Sequence, residues 1–222
     1  TPGPLDLNAA AGHVAASLPA RACVTVGAGN YALYAHRHIA FKGLASQLAP
    51  AVGAMGYGLP AAIAAKLHDR DAPVICFAGD GCFQMTMQEV ATAVQHRLGI
   101  VILVFNNGLY GTIRLHQERA YPGRALATTL VNPDFAQLAQ SYGAFGHRVT
   151  TTEEFAPAYD AALAHAREHQ LPAILDLVYD ADIILPDRTL SQMHADRACA
   201  PEPRAGHRCC AVPRRRPVPP CT

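Results

Sequence analysis

The chain has 222 residues, half of them hydrophobic, which suits one large domain, or a domain with a tail, around a sizeable core. Charged residues make up 16% and the formal net charge is +1, so no nucleic-acid or membrane partner is indicated, and the low charge content points to broad buried surface, a subunit interface included. No run of 18 apolar residues occurs and the opening TPGPLDLNAAAGH lacks the basic and apolar regions of a signal peptide, so a soluble, cytoplasmic protein is expected.

Apolar runs alternate with helical patterns along the chain. The alanine-rich stretch 8–18 predicts a helix, and CVTVGA (23–28) a strand that ends on glycine. LPAAIAAKLH (59–68) predicts a helix whose proline falls in a tolerant first turn, and PVICFAG (73–79) a second strand. Over 84–98, Met87, Val90, Ala91, Val94 and Leu98 recur at steps that mark one helical face. GIVILVFN (99–106) follows as a third strand. A helix is expected over 132–143, opened near Asp134 and closed by Gly143. A short strand at 146–150 leads into a helix at 151–169, which opens on two threonines and two acids. PAILDLVY (172–179) predicts a final strand. The strands read as continuous apolar runs, as in a parallel sheet covered on both faces. The expected fold class is therefore α/β: a doubly wound, mostly parallel sheet with helices on both faces, formed by residues 1–197.

Residues 198–222 change style. They hold five arginines, one acid and six prolines, with no apolar periodicity. A disordered or aberrant basic tail rich in proline and cysteine is expected there. Four of the seven cysteines crowd this tail, and the spacing of Cys199, His207, Cys209 and Cys210 matches no common zinc pattern. An odd cysteine count without a secretory signal does not describe a disulfide framework.

Two strand ends carry the chemistry. FAGDGCF (77–83) stops on Gly-Asp-Gly, and VFNNGLYG (104–111) stops on Asn-Asn-Gly. Between Gly81 and Asn106 lie 24 residues, enough for one helix and one returning strand. A helix of about 14 residues is roughly 21 Å long and a six-residue strand returns roughly 20 Å. One such unit brings Asp80 and Asn107 to the same sheet edge, where open α/β sheets bind ligands. Gly79 and Gly81 remove side chains around Asp80, so backbone N–H groups can approach a phosphate. A carboxylate, a carboxamide oxygen and a backbone carbonyl are hard donors that suit magnesium or calcium rather than zinc. Taken singly, each tripeptide is also an ordinary turn former.

The segment GDGCFQMTMQEVATAVQHRLGIVILVFNN resembles the signature of thiamine diphosphate-dependent enzymes, and most closely the acetolactate synthase-like group, which includes pyruvate and benzoylformate decarboxylases. AVGAMGYGLPAAIAAK (51–66) is similar to a second segment of the same group. The resemblance implies that Asp80, Asn107 and the Leu109 carbonyl bind magnesium, and that the Gly81 and Cys82 backbones contact the diphosphate. It further implies that Met55 sits beneath the cofactor and that the Gly53 carbonyl receives its pyrimidine amino group. On periodicity alone Met55 reads as core packing. TVGAGNYALYAHRHI (25–39) resembles the first strand and loop of the module, and 110–124 the helix and loop after the metal. His36 and His38 read as structural histidines, Arg114, His116, Gln117 and Arg119 as substrate-facing or solvated, and Glu89 as helix and interface structure.

The implied activity is decarboxylation or carboligation of a 2-oxo acid, as a lyase or transferase. The implied family supplies the activating glutamate from a separate pyrimidine-binding domain, for which 222 residues leave no room, so no catalytic residue is assigned in this chain. The expected partner is that domain, from another chain or a missing N-terminal region, within an oligomer. A non-catalytic cofactor-binding or assembly module, and a portion of a simple decarboxylase, remain alternatives.

Overall fold

The computed structural model describes residues 3–198; the tail expected from 199 onward lies outside the described residues. Chain order begins with α1 (Leu7–Ser17), β1 (Cys23–Val26), α2 (Ala32–His38), β2 (Gln47–Leu48), α3 (Gly58–His68) and β3 (Val74–Gly79). It continues with α4 (Asp80–Gln84), a 3-10 turn (Met87–Glu89), α5 (Val90–Gln95), β4 (Val101–Asn106), α6 (Gly111–Ala120), α7 (Phe135–Ser141) and β5 (Phe145–Val149). It closes with α8 (Thr152–His169), β6 (Ala173–Val178), β7 (Ile183–Leu185), β8 (Arg188–Thr189) and α9 (Leu190–Ala198).

Six strands form one sheet in the order β2-β1-β3-β4-β6-β5, and every pairing is parallel. Parallel pairing explains the continuous apolar runs, because both faces are covered. Within β3, Ile75 and Phe77 join the core on one face with Val14, Tyr34, Phe155 and Tyr159 from α1, α2 and α8. Val74, Cys76 and Ala78 join the opposite core with Leu59, Ile63, Val90 and Phe135 from α3, α5 and α7. The sheet is thus doubly wound, as the alternation of elements predicts. Among the described residues, no helix is long and apolar enough to cross a membrane.

The five predicted strands are all present, shifted by no more than two residues at an end. Two stretches differ. The single helix expected over 84–98 is divided, because Thr86 leaves helical geometry at φ −138° and ψ 14°. Its hydroxyl donates to the Gly56 carbonyl at 3.0 Å, a tertiary contact that periodicity cannot show. The loop expected after β1 instead forms α2, which buries Ala32, Tyr34 and Ala35 against the sheet. A third small core of Leu115, Ile184, Leu190 and Met193 ties the C-terminal β7 and α9 to α6.

Local signals set the ends of α8. Thr151 accepts the Glu154 N–H at 3.4 Å, and the Glu154 carboxylate accepts the Thr151 N–H at 3.2 Å, a reciprocal capping box. The Thr150 N–H and hydroxyl, together with the Thr151 N–H, hold the Glu154 carboxyl below its usual range. Thr151→Ala is expected to lower stability by about 1 kcal/mol, read as a lower urea midpoint with an unchanged slope.

Candidate functional site

The strand order reverses between β1 and β3: the chain leaves β1 towards β2 on one side and returns as β3 on the other. Open α/β sheets bind ligands in the crevice at such a reversal, beyond the carboxyl ends of the strands. Here the crevice is a cleft of about 60 Å³. Ala28–Tyr31 line it after β1, Gly79–Cys82 after β3, and Asn107 with Leu109–Ile113 after β4. Met55, Phe105, Tyr179 and Ile184 complete the wall.

Two glycines are required by close approach. A Cβ on Gly79 would stand 2.7 Å from the Tyr31 ring, and one on Gly81 would stand 2.4 Å from the Tyr110 ring. Tyr31 stacks on Phe105 with centroids 5.9 Å apart, and its hydroxyl is buried without a hydrogen-bond partner. That hydroxyl lies beside Gly27, where an added Cβ would stand 2.4 Å from it.

Asp80 is the first residue of the five-residue α4 and only 3% exposed. Its Oδ1 accepts the Gly81 N–H at 2.8 Å. Its Oδ2 accepts the Gly108 N–H and the Asn132 Nδ2, both at 2.8 Å. Burial raises the Asp80 pKa, while the bonds from Asn132, Gly81 and Gly108 pull it back. Every donor is neutral. A buried carboxylate held by neutral groups carries charge that a bound cation would balance.

Asn107 follows directly. Its Oδ1 accepts the Leu109 N–H at 3.3 Å, and its Nδ2 donates to the Ile183 carbonyl at 3.4 Å. The loop is clamped from below: Tyr110 N–H donates to Thr128 O at 2.9 Å, and Leu130 N–H to Gly108 O at 2.8 Å. The Leu109 carbonyl accepts the Gly111 N–H at 2.9 Å. Opposite, the Asn30 Nδ2 donates to the Ile184 carbonyl at 2.8 Å, so the β7 segment bridges the loops after β1 and β4. One carboxylate, one carboxamide and one backbone carbonyl thus gather at one edge, a donor set that fits magnesium. Among the described residues, no group of three His, Cys, Asp or Glu gathers in a way that could hold a metal, so a zinc-type site is not offered.

Of the residues singled out from the sequence, Met55, Gly79, Asp80, Gly81, Cys82, Asn107 and Leu109 share the cleft. Gly53 does not line it; it occupies a turn at φ +68° with open space where a Cβ would be. The Cys82 thiol is turned to the Ala28 carbonyl at 3.0 Å. His36 bonds Gln47 and His38 bonds Asn8, both away from the cleft. Arg114 pairs with the buried Glu118 at 3.0 Å, and Gln117 bonds the Leu126 backbone, so neither faces the cleft.

Two further polar residues join the site from places that carry no motif: Asn132, at the start of a predicted helix, and Asp176, within a predicted strand. Asn106 Nδ2 donates to Asp176 Oδ1 at 2.8 Å, and Asn132 Nδ2 donates to Asn106 Oδ1 at 2.7 Å. Asp176 is 1% exposed, and its Oδ2 has no hydrogen-bond partner. Arg148 Nε lies 4.0 Å from that oxygen. Burial pushes the Asp176 carboxyl up to about 6, against the opposing pull of Asn106 and Arg148. A polar residue conflicting with the apolar pattern of β6 was the available signal.

Residues 27–177 match the family described as thiamine pyrophosphate enzyme, C-terminal TPP binding domain. The chain belongs to this family, and within it is similar to acetolactate synthases. It is 45% identical over 105 residues to an acetolactate synthase large subunit of Cyanidium caldarium, covering 46% of this chain and 18% of that one. It is 37% identical over 163 residues to the acetolactate synthase large subunit of Corynebacterium glutamicum, covering 70% of this chain and 25% of the other. A solved thiamine diphosphate-dependent 4-hydroxybenzoylformate decarboxylase from Rhodococcus jostii RHA1 superposes with a TM-score of 0.74 at 28% identity, over 82% of this chain and 34% of that one. The chain therefore spans about a quarter or less of these curated relatives and about a third of the solved one.

The Asp176 pKa predicts a pH effect. Its folded value of about 6 lies above the unfolded value of about 3.9, so the folded chain holds an extra proton between them. The stability this proton contributes is complete below about pH 4 and is lost as pH rises through about 6. The neutral variant Asp176→Asn has no such loss. Its stability relative to the unsubstituted chain is expected to improve by about 2 kcal/mol between pH 4 and pH 7, measured by urea unfolding at each pH.

Proposed function

We propose that this chain is the thiamine diphosphate- and magnesium-binding portion of an acetolactate synthase-like enzyme acting on a 2-oxo acid. The observation that carries this reading is the Asp80 carboxylate, buried among neutral donors at the strand-order reversal, beside Asn107 and the Leu109 carbonyl. Asp80, the Asn107 side-chain oxygen and the Leu109 carbonyl oxygen would hold magnesium. The backbones of Gly79, Gly81 and Cys82 would face the diphosphate, while Met55 and Gly53 belong to the segment that would support the rings. When bound, the cofactor supplies the carbon nucleophile and electron sink that release of carbon dioxide from a 2-oxo acid requires. The protein's part is to place that group and keep water away from it, by means of Tyr31, Phe105 and Tyr110.

The same reading requires another domain. Pockets that enclose drug-sized ligands have volumes of about 300–1,000 Å³, and this cleft holds about 60 Å³. Exposed apolar side chains include Ile113 of α6, which lines the cleft, at 46%, and Val52 at 89%, Met85 at 47% and Val131 at 96% on loops. A pyrimidine-binding domain, contributed by another chain or another region of the polypeptide, would cover them and supply the activating acid. Contributed by another chain, that domain would make the assembly an oligomer, and the free thiols of Cys23, Cys76 and Cys82 suit a reducing cytoplasm. Relatives of both kinds, synthase and decarboxylase, support a reaction that begins with loss of carbon dioxide.

Calorimetric titration of thiamine diphosphate into the chain with magnesium chloride is expected to show binding. Asp80→Ala should abolish the signal, and unchanged binding by that variant rejects the metal assignment. The chain alone should release no carbon dioxide from pyruvate or benzoylformate. Sustained turnover without a second domain rejects the partner requirement.

A further inference from the structure

Asn106 and Asn107 are adjacent, yet they do different things. Asn107 faces the cleft, whereas Asn106 is 8% exposed and turns towards β6. There it begins a chain of side-chain bonds that ends on Asp80. Asp176 Oδ1 accepts from Asn106 Nδ2 at 2.8 Å, Asn106 Oδ1 accepts from Asn132 Nδ2 at 2.7 Å, and Asn132 Nδ2 also donates to Asp80 Oδ2 at 2.8 Å. Gln84 Nε2 donates to Asn132 Oδ1 at 2.8 Å and fixes its other end. A carboxamide has two ends of opposite polarity, and rotation by half a turn exchanges donor for acceptor. An ionised carboxylate only accepts. Asp176 therefore decides which way Asn106 points, and Asn106 then helps decide which way Asn132 points. Were Asn132 reversed, its oxygen would face Asp80 Oδ2 and repel it.

We infer that Asp176 is a positioning residue for the cation site: through Asn106 and Asn132 it sets the amide polarity that holds the Asp80 carboxylate in its binding orientation. This rests on the metal reading proposed above. A geometric oddity supports it. The Oδ2 of Asp176 is buried without a hydrogen bond, and Arg148 Nε, from a half-exposed side chain, reaches only to 4.0 Å. The fold therefore keeps a poorly satisfied carboxylate where a neutral or apolar residue would be easier to bury. A residue kept only for packing would not need that charge. Outer partners of metal ligands commonly act in this way, and their loss weakens metal binding about 10–100-fold.

The test is a manganese titration of the full 222-residue chain with thiamine diphosphate, followed by electron paramagnetic resonance of the free ion. Three proteins are compared with the unsubstituted chain: Asp176→Asn, Asn106→Ala and Asp80→Ala. Thermal unfolding without metal is measured on the same samples. Asp176→Asn, which is close in shape but able to turn either way, is expected to bind manganese about tenfold more weakly while its metal-free melting temperature at pH 7 holds or rises. Weaker binding with equal or greater stability separates positioning from a structural role. Asn106→Ala breaks the same chain from the next residue and should lose affinity to a similar extent, which keeps the test decisive should Asp176→Asn fold poorly. Unchanged affinity in folded Asp176→Asn, or in folded Asn106→Ala, with binding abolished in Asp80→Ala, overturns this inference and leaves the metal reading standing. No manganese binding by the unsubstituted chain, or binding that Asp80→Ala leaves intact, overturns the metal reading and this inference with it.

Discussion

The arrangement turns on a single buried negative charge. Asp80 is removed from water at the end of a central strand, and the hydrogen-bond donors set against it are neutral backbone and carboxamide N–H groups. Such a group is costly to bury unless charge of opposite sign arrives from outside. The glycines on either side, the clamped loop after β4 and the bridge from the β7 segment all keep this carboxylate in place and its surroundings narrow. A site of this kind gives up stability in the empty state and recovers it on binding, by ordinary linkage.

The parallel sheet makes the meeting of Asp80 and Asn107 unavoidable. β3 and β4 are neighbours in register, with Gly79 opposite Phe105. Their carboxyl ends therefore coincide, and the residues just beyond them are neighbours too. The crossover between them has to traverse the sheet once and return, which accounts for the length of the intervening segment. Because β1 lies on the far side of β3, the loop after β1 closes the cleft from that direction. The cleft remains small, in keeping with a domain whose relatives are more than twice as long as this chain.

Much of this could be read along the chain. Continuous apolar strands, the glycines at their ends and the spacing of the two tripeptides are local features, and they locate the fold and the centre of the site. The divided helix after Asp80 was not legible, because Thr86 is drawn out of line by a carbonyl on Gly56, 30 residues earlier. The helix after β1 was hidden because its apolar stretch is short and follows a glycine-rich turn. Asp134 caps α7 as its position predicts, whereas Asn132, two residues earlier, turns to Asp80 and Asn106, which no local pattern shows.

The amino-acid sequence by itself determined the class of fold and the identity of the groups at two strand ends, since periodicity and turn chemistry are properties of neighbours in the chain. Tertiary structure alone decided what those groups touch. Asp176 and Asn106 are 70 residues apart and meet only because β6 is inserted beside β4, ahead of β5 in the sheet. No local pattern encodes that insertion; it follows from how the crossovers pack, and with it comes the second carboxylate behind the first.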